Sequence, residues 1–193
     1  MSPARRGTGR RVLDYGLTVA LFALLALVAT RLDRLGTRSE QGRATVNDGD
    51  TVTLGRERVR LRGIDAPEYT QTCRRDGTGY ACGRQARQAL VDLIGGRPVT
   101  CTGWQRDRYG RLLGDCRAGD VDLNAALVAS GWAVAYGGYQ AEEAKARAAK
   151  AGLWAGSFDR PQDWRRLHGR PDEARHDALG SVVDGFRALF RPR

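Results

Sequence analysis

Histidine, lysine and methionine are scarce. The 193-residue chain has two His, one Met, and Lys only at 145 and 150. The four cysteines, Cys73, Cys82, Cys101 and Cys116, include no Cys-x-x-Cys pair, and the only histidines are His168 and His176. That pattern excludes an ordinary zinc site. No charge interrupts the run from Gly16 to Ala29, and it has no polar face, which argues against a helix buried in a soluble core. Aromatics are few at 7%, yet hydrophobic residues reach 41%, enough for a core and too many for wholesale disorder. Arginine carries nearly all of the positive charge. Because arginine enrichment also follows genome composition, basicity alone does not establish a nucleic-acid binder.

The net charge is +10, from 32 Lys+Arg against 22 Asp+Glu, and suits an anionic partner such as nucleic acid or membrane head groups. Half of the excess is N-terminal: residues 1–38 hold seven Arg and two Asp, whereas residues 39–169 hold twenty basic and sixteen acidic residues. Residues 1–11 form a basic segment with Arg5, Arg6, Arg10 and Arg11, and residues 12–30 are mostly apolar. At a rise of about 1.5 Å per residue this apolar stretch is roughly 28 Å long, close to bilayer thickness. The expectation is a transmembrane signal anchor with a cytoplasmic N-terminus. Cleavage after Ala29 would place Leu27 where a small residue is needed, so an uncleaved anchor is favoured; a cleaved chain would be secreted. The domain would then lie on the outer side of the inner membrane. An even number of cysteines behind such a signal reads as two disulfides. Of three pairings, Cys73–Cys82 and Cys101–Cys116 are favoured, since one closes a short Gly-containing loop and the other flanks a hairpin.

Residues 31–42 read as a linker. Thr45-Val46 and Thr51 to Leu54 flank the turn Asn47-Asp48-Gly49, and a strand follows from Glu57 to Arg62. In it Val59 and Leu61 share an inward face, with Arg58, Arg60 and Arg62 outward. Ala81 to Ile94 has helical spacing and stops at Gly95-Gly96. Pro98 to Gln105 and Arg111 to Arg117 form a hairpin, and Asp122 caps a short helix through Ala129. Trp132 to Tyr136 is a strand and Gln140 to Ala151 a helix, with Glu143 four residues before Arg147. The class is α+β, compatible with a small closed barrel carrying helices. Residues 169–193 form an amphipathic tail, with Leu179, Val182, Phe186 and Leu189 at helical spacing. It either meets a membrane or partner, or packs back on the domain or stays frayed, since Gly180 and Gly185 weaken the helix.

Three polar clusters have no evident folding role: Asp48-Gly49-Asp50-Thr51, Ile64-Asp65-Ala66-Pro67-Glu68, and Tyr109-Gly110-Arg111. Two aspartates at separate strand ends suit a hard cation such as Ca²⁺. A divalent ion, two arginines and a further carboxylate are what phosphodiester cleavage requires, to hold transition-state charge and to direct water. The stretches VNDGDTVTL, RLRGIDAPE, DRYGRLLGDC, LNAALVASGWAVAY and AGLW, in that order, resemble the staphylococcal nuclease (thermonuclease) family over residues 43–168.

That resemblance implies a five-stranded OB-fold-type β-barrel with three packed α-helices, here preceded by one transmembrane helix. It implies Ca²⁺ held by Asp50, Asp65 and the Ala66 carbonyl. Glu68 would act on the nucleophilic water, Arg60 and Arg111 would bind phosphate, and Tyr109 and Tyr136 would line the nucleotide pocket. The implied activity is a Ca²⁺-dependent nuclease, cutting DNA and RNA with little sequence specificity, favouring single strands and leaving 3′-phosphate ends. The alternative is a non-catalytic nucleic-acid-binding or protein-docking module. No protein partner is inferable. One departure from the family is a longer, cysteine-bearing segment, Thr70 to Tyr80, where the founding enzyme has a Lys-rich loop.

Overall fold

The structure is a computed structural model. It describes residues 8–169, with side chains from 14 to 28 and from 37 onward. The first seven residues and the tail from 170 lie outside the described residues. The chain divides into two compact units, one ending at Thr37 and the other beginning at Arg38.

The first unit is helix α1, Thr8–Gly36. Its described side chains are exposed, including Leu17, Leu21, Phe22, Leu24 and Leu25. Among the described residues no helix is long and apolar enough to cross a membrane. The described apolar side chains run from Tyr15 to Val28, about 20 Å of helix, against the ~30 Å of a bilayer core. Both ends of the 12–30 segment expected as an anchor lie outside the described side chains.

The second unit is built on strands β1 (Arg38–Gly42), β2 (Ala44–Val46), β3 (Thr51–Leu54), β4 (Glu57–Leu61), β5 (Ile64–Asp65), β6 (Cys73–Arg75), β7 (Thr78–Tyr80), β8 (Val99–Arg106), β9 (Leu112–Ala118), β10 (Val121–Asp122) and β11 (Val134–Ala135). The helices are α2 (Cys82–Ile94), α3 (Leu123–Ala129), α4 (Gln140–Ala148) and α5 (Pro161–Leu167), with a 3-10 turn at Gly152–Ala155. The main sheet runs β1-β8-β9-β4-β3-β2, with β10 pairing β9, and curls as a half-barrel. All its pairings are antiparallel except β4 with β9. Two small sheets stand apart, β11-β5 and β6-β7.

The α+β class and the oligonucleotide-binding-like curl agree with the sequence. The expected count does not: among the described residues the main sheet has seven strands rather than five, and the second unit carries four helices, α2 to α5, rather than three. The extra sheet edge is β1, drawn from residues read as linker. Its sequence, RSEQG, carries no apolar alternation. It is recruited through its main chain, Arg38 to Gly42 facing Gly103 back to Val99.

Elsewhere local signals hold. Asp122 accepts from the Ala125 N–H (3.0 Å) and starts α3. Gly95 ends α2 in the left-handed conformation and donates to the Val91 carbonyl (2.9 Å). Between sheet and helices, Val52, Val59, Leu61, Ile64, Leu90, Leu123 and Leu127 form one buried cluster. Each such side chain stabilises the fold by roughly 1.5–3 kcal/mol.

Two disulfides close where expected. Cys101 faces Cys116 directly across β8 and β9 (Cα–Cα 4.1 Å), and Cys73–Cys82 (5.6 Å) ties the β6-β7 hairpin to the start of α2.

Candidate active site

The three clusters singled out in the sequence converge where β3 begins and β4 and β5 end. Asp50 stands just before β3, and its carbonyl accepts from the Leu61 N–H (2.8 Å). Its carboxylate accepts from the Ala66 N–H (3.0 Å) and the Thr51 hydroxyl (3.1 Å), so the first cluster caps the turn of the second. Asp65 closes β5. Arg60 reaches both carboxylates with one nitrogen, 3.1 Å from Asp50 Oδ2 and 2.8 Å from Asp65 Oδ1.

This corrects the three-arginine outward stripe. Only Arg58 of the three is exposed; Arg60 is buried. Arg62 pairs with Asp115 (2.6 Å) and lies over the Trp104 ring (4.1 Å). The strand alternates as the sequence requires, but its second face is covered at Arg60 by the chain returning through Asp65.

Arg111 is buried and aimed by Asp107. Asp107 Oδ2 accepts from its Nε (2.6 Å), and Oδ1 accepts from its backbone N–H (2.9 Å). Its Nη1 donates to the Thr51 hydroxyl (3.3 Å), beside Asp50. Tyr109 is exposed, 5.4 Å from the Arg111 guanidinium by ring centroid. Tyr136 is half-buried, and its N–H donates to the Gly63 carbonyl (2.9 Å), which ties it to the β4-β5 connection.

Glu68 is fixed through its backbone. Its carbonyl accepts from the Gln71 N–H (2.7 Å), and its own N–H donates to Gln71 Oε1 (3.2 Å). Gln71 is fully buried and donates to the Asp159 carbonyl (2.8 Å). The β6-β7 insertion therefore works as a bracket that seats Glu68 against the segment leading into α5.

The residue that sequence reasoning missed is Arg165, on α5. Its Nη1 lies 3.0 Å from Asp65 Oδ1 and 3.1 Å from Glu68 Oε1, and its Nη2 lies 2.9 Å from Asp65 Oδ2. Asp50, Arg60, Asp65, Arg165 and Glu68 thus form a continuous alternation of charge. No local pattern marks Arg165 among so many arginines; Pro161 at the start of α5 was the only available sign of a helix there.

The field is uneven. Burial and then the charge of Asp50 push the Asp48 carboxyl up to about 7. Burial also raises Asp65, to about 6, against the pull of Arg60 and Arg165. At Asp50 burial acts in the same sense, but Arg60, the Ala66 N–H and Arg111 outweigh it and hold its carboxyl below the usual range.

Among the described residues no group of three or more His, Cys, Asp or Glu forms a metal cluster. The donor chemistry nevertheless fits a hard dication. Two buried carboxylates, Asp50 and Asp65, already share one cationic nitrogen, and the Ala66 carbonyl and water would complete an all-oxygen set.

Residues 58–156 match the family model described as Staphylococcal nuclease homologue. Over 158 residues the chain is 37% identical to the succinoglycan biosynthesis protein ExoI of Rhizobium meliloti (strain 1021), covering 78% of this chain and 83% of that protein. It is 34% identical over 153 residues to the probable staphylococcal-like nuclease CAN3 of Oryza sativa subsp. japonica, covering 75% of this chain but 37% of the rice protein. An uncharacterized endonuclease of Escherichia coli is 37% identical over 121 residues, 57% of this chain and 73% of that protein.

Proposed function

Since the chain belongs to the family of staphylococcal nuclease homologues, we propose that it is a nuclease hydrolysing phosphodiester bonds in DNA and RNA, with Ca²⁺ as its cofactor. The observation that carries this reading is the convergence of Asp50, Asp65, Glu68, Arg60 and Arg111 on one set of strand ends.

Glu68 orients a water and takes its proton as the oxygen attacks phosphorus. Bracing of its main chain by Gln71 keeps the carboxylate in reach of that water. Arg60 and Arg111 hold the charge that grows on the phosphoryl oxygens, and Asp107 keeps the Arg111 guanidinium aimed. Asp50 and Asp65 hold the cation, with the Ala66 carbonyl. Ca²⁺, when bound, supplies a Lewis acid that draws electron density from a phosphoryl oxygen. The 5′ oxygen leaves, and the products carry 3′-phosphates. Tyr109, exposed beside Arg111, offers a stacking face that accepts any base, which favours single strands and little sequence preference.

The same reading places the domain outside the cytoplasm, tethered by residues 12–30. Its support is the two disulfides and the exposed apolar side chains of α1. Carbonate extraction of membranes tests it, and recovery of the chain in the soluble cytosolic fraction overturns it.

The deciding experiment is digestion of single-stranded and duplex DNA and RNA by the full chain, with Ca²⁺ and then EGTA, beside Glu68→Gln. Ca²⁺-dependent cleavage that falls at least ~10²-fold in the variant is expected. Binding without cleavage by a folded, oxidised protein would instead identify a nucleic-acid-binding module.

A further inference from the structure

Helix α5 begins at Pro161, beyond the 58–156 span of the family match, yet it delivers the side chain most deeply engaged with the carboxylates. Its attachment is specific. Trp164 is buried, and the Asp159 carbonyl just ahead of α5 is held by Gln71. Arg165 is then buried with its fork across Asp65, one nitrogen on each oxygen, and with Nη1 shared by Glu68. Arg60 approaches Asp65 Oδ1 as well. Both oxygens of Asp65 are therefore taken up by guanidinium.

A planar fork with five donors satisfies two carboxylates at once, and it does so with a fixed charge that no pH change removes. A dication that takes an oxygen of Asp65 has to win it from Arg165. It also has to do so next to that positive charge.

We propose that Arg165 is a resident cation of the site, a positioning residue that holds Asp65 and Glu68 together until a divalent cation displaces it from Asp65, so that α5 sets the affinity for that cation. This rests on Asp50 and Asp65 being the cation ligands of the proposed nuclease. In the cation-free protein the guanidinium neutralises the buried Asp65 and the half-buried Glu68, which would otherwise repel one another. On cation binding the fork leaves Asp65 and retains Glu68, so that Nη1 is no longer divided between two carboxylates. Helix α5 thereby becomes part of the catalytic assembly rather than an appendage to it.

The test is Ca²⁺ binding without substrate, by titration calorimetry on the full chain at about pH 8, with melting curves in EGTA and in saturating Ca²⁺. Arg165→Gln is expected to bind Ca²⁺ at least tenfold more tightly than the parent, to melt lower in EGTA, and to recover that loss in Ca²⁺. Arg165→Lys keeps a charge but not the fork; it is expected to fold in EGTA and to bind Ca²⁺ more tightly by a smaller factor. Arg166→Gln, one residue on and exposed, is expected to match the parent throughout. If Arg165 only braced the fold, both Arg165 variants would bind Ca²⁺ equally or more weakly, and Ca²⁺ would not restore the melting point. That result overturns the proposal, as does the absence of Ca²⁺ binding in every protein. Loss of cleavage in Glu68→Gln is read separately, so the nuclease assignment can stand when this one fails.

Discussion

Gly83→Ala is the sharpest probe of how the fold seats Glu68. Gly83 lies in the first turn of α2, and a Cβ there would come 1.7 Å from the Glu68 carbonyl oxygen and 2.6 Å from its carbon. To restore even 3.0 Å, the peptide after Glu68 must retreat by about 1.3 Å. That carbonyl is held by Gln71, and the Gly83 N–H itself donates to the Gln71 carbonyl (3.2 Å), so helix and loop cannot part cheaply. Alanine adds about 1 kcal/mol of helix propensity, whereas overpacking costs typically ~1–3 kcal/mol. A net loss of up to about 2 kcal/mol is expected. Activity should suffer more, because a displacement of about 1 Å at a catalytic group is worth on the order of 10²-fold. Urea unfolding gives the first quantity, and single-turnover cleavage of a single-stranded oligonucleotide gives the second. Gly79→Ala is the control, since nothing lies closer to its Cβ than the Cys73 carbonyl oxygen at 4.0 Å. Wild-type cleavage by Gly83→Ala, with stability within about 0.5 kcal/mol of the parent, would refute the idea that α2 fixes Glu68.

Three further outcomes are expected. Asn124→Ala strips the Cys116 N–H (3.0 Å) and the Arg62 (2.9 Å) and Gly114 (3.2 Å) carbonyls of a buried partner; it should cost roughly 2–4 kcal/mol, read as a lower urea midpoint at unchanged slope. Replacing either disulfide by serines should cost about 3 kcal/mol, but only loss of Cys73–Cys82, which braces the insertion carrying Gln71, should also slow cleavage in assays matched for folded fraction. In EGTA the melting temperature should rise as pH is lowered from about 8 to about 5. Asp48 and Asp65 are raised to about 7 and about 6 from 3.8; in that window the folded protein keeps protons that the unfolded chain has released, and the advantage is lost as pH climbs through those values. Asp50, held low, works the other way, and its contribution is lost only below the ordinary carboxylate range. A melting temperature flat or rising from pH 5 to 8 would contradict the assigned burial.

What the sequence determined by itself is local in origin. Alternation placed Val59 and Leu61 inside, Gly95 stopped α2, Asp122 started α3, and cysteines flanking short loops paired as their spacing suggested. The motif residues Asp50, Arg60, Asp65 and Arg111 were named through the resemblance of their short motifs to a family, and the structure brings them together. The tertiary structure decided what depends on distant chain. It buried Arg60, which alternation alone had turned to solvent, because Asp50 and Asp65 close over it. It made an edge strand of Arg38–Gly42, since a main-chain ladder needs no particular side chains. It also brought Arg165 to Asp65 across 100 residues of sequence. Strand period, helix caps and turns are written within a few residues of one another, whereas an ion pair between remote segments has no signature until the chain's path sets the two charges side by side.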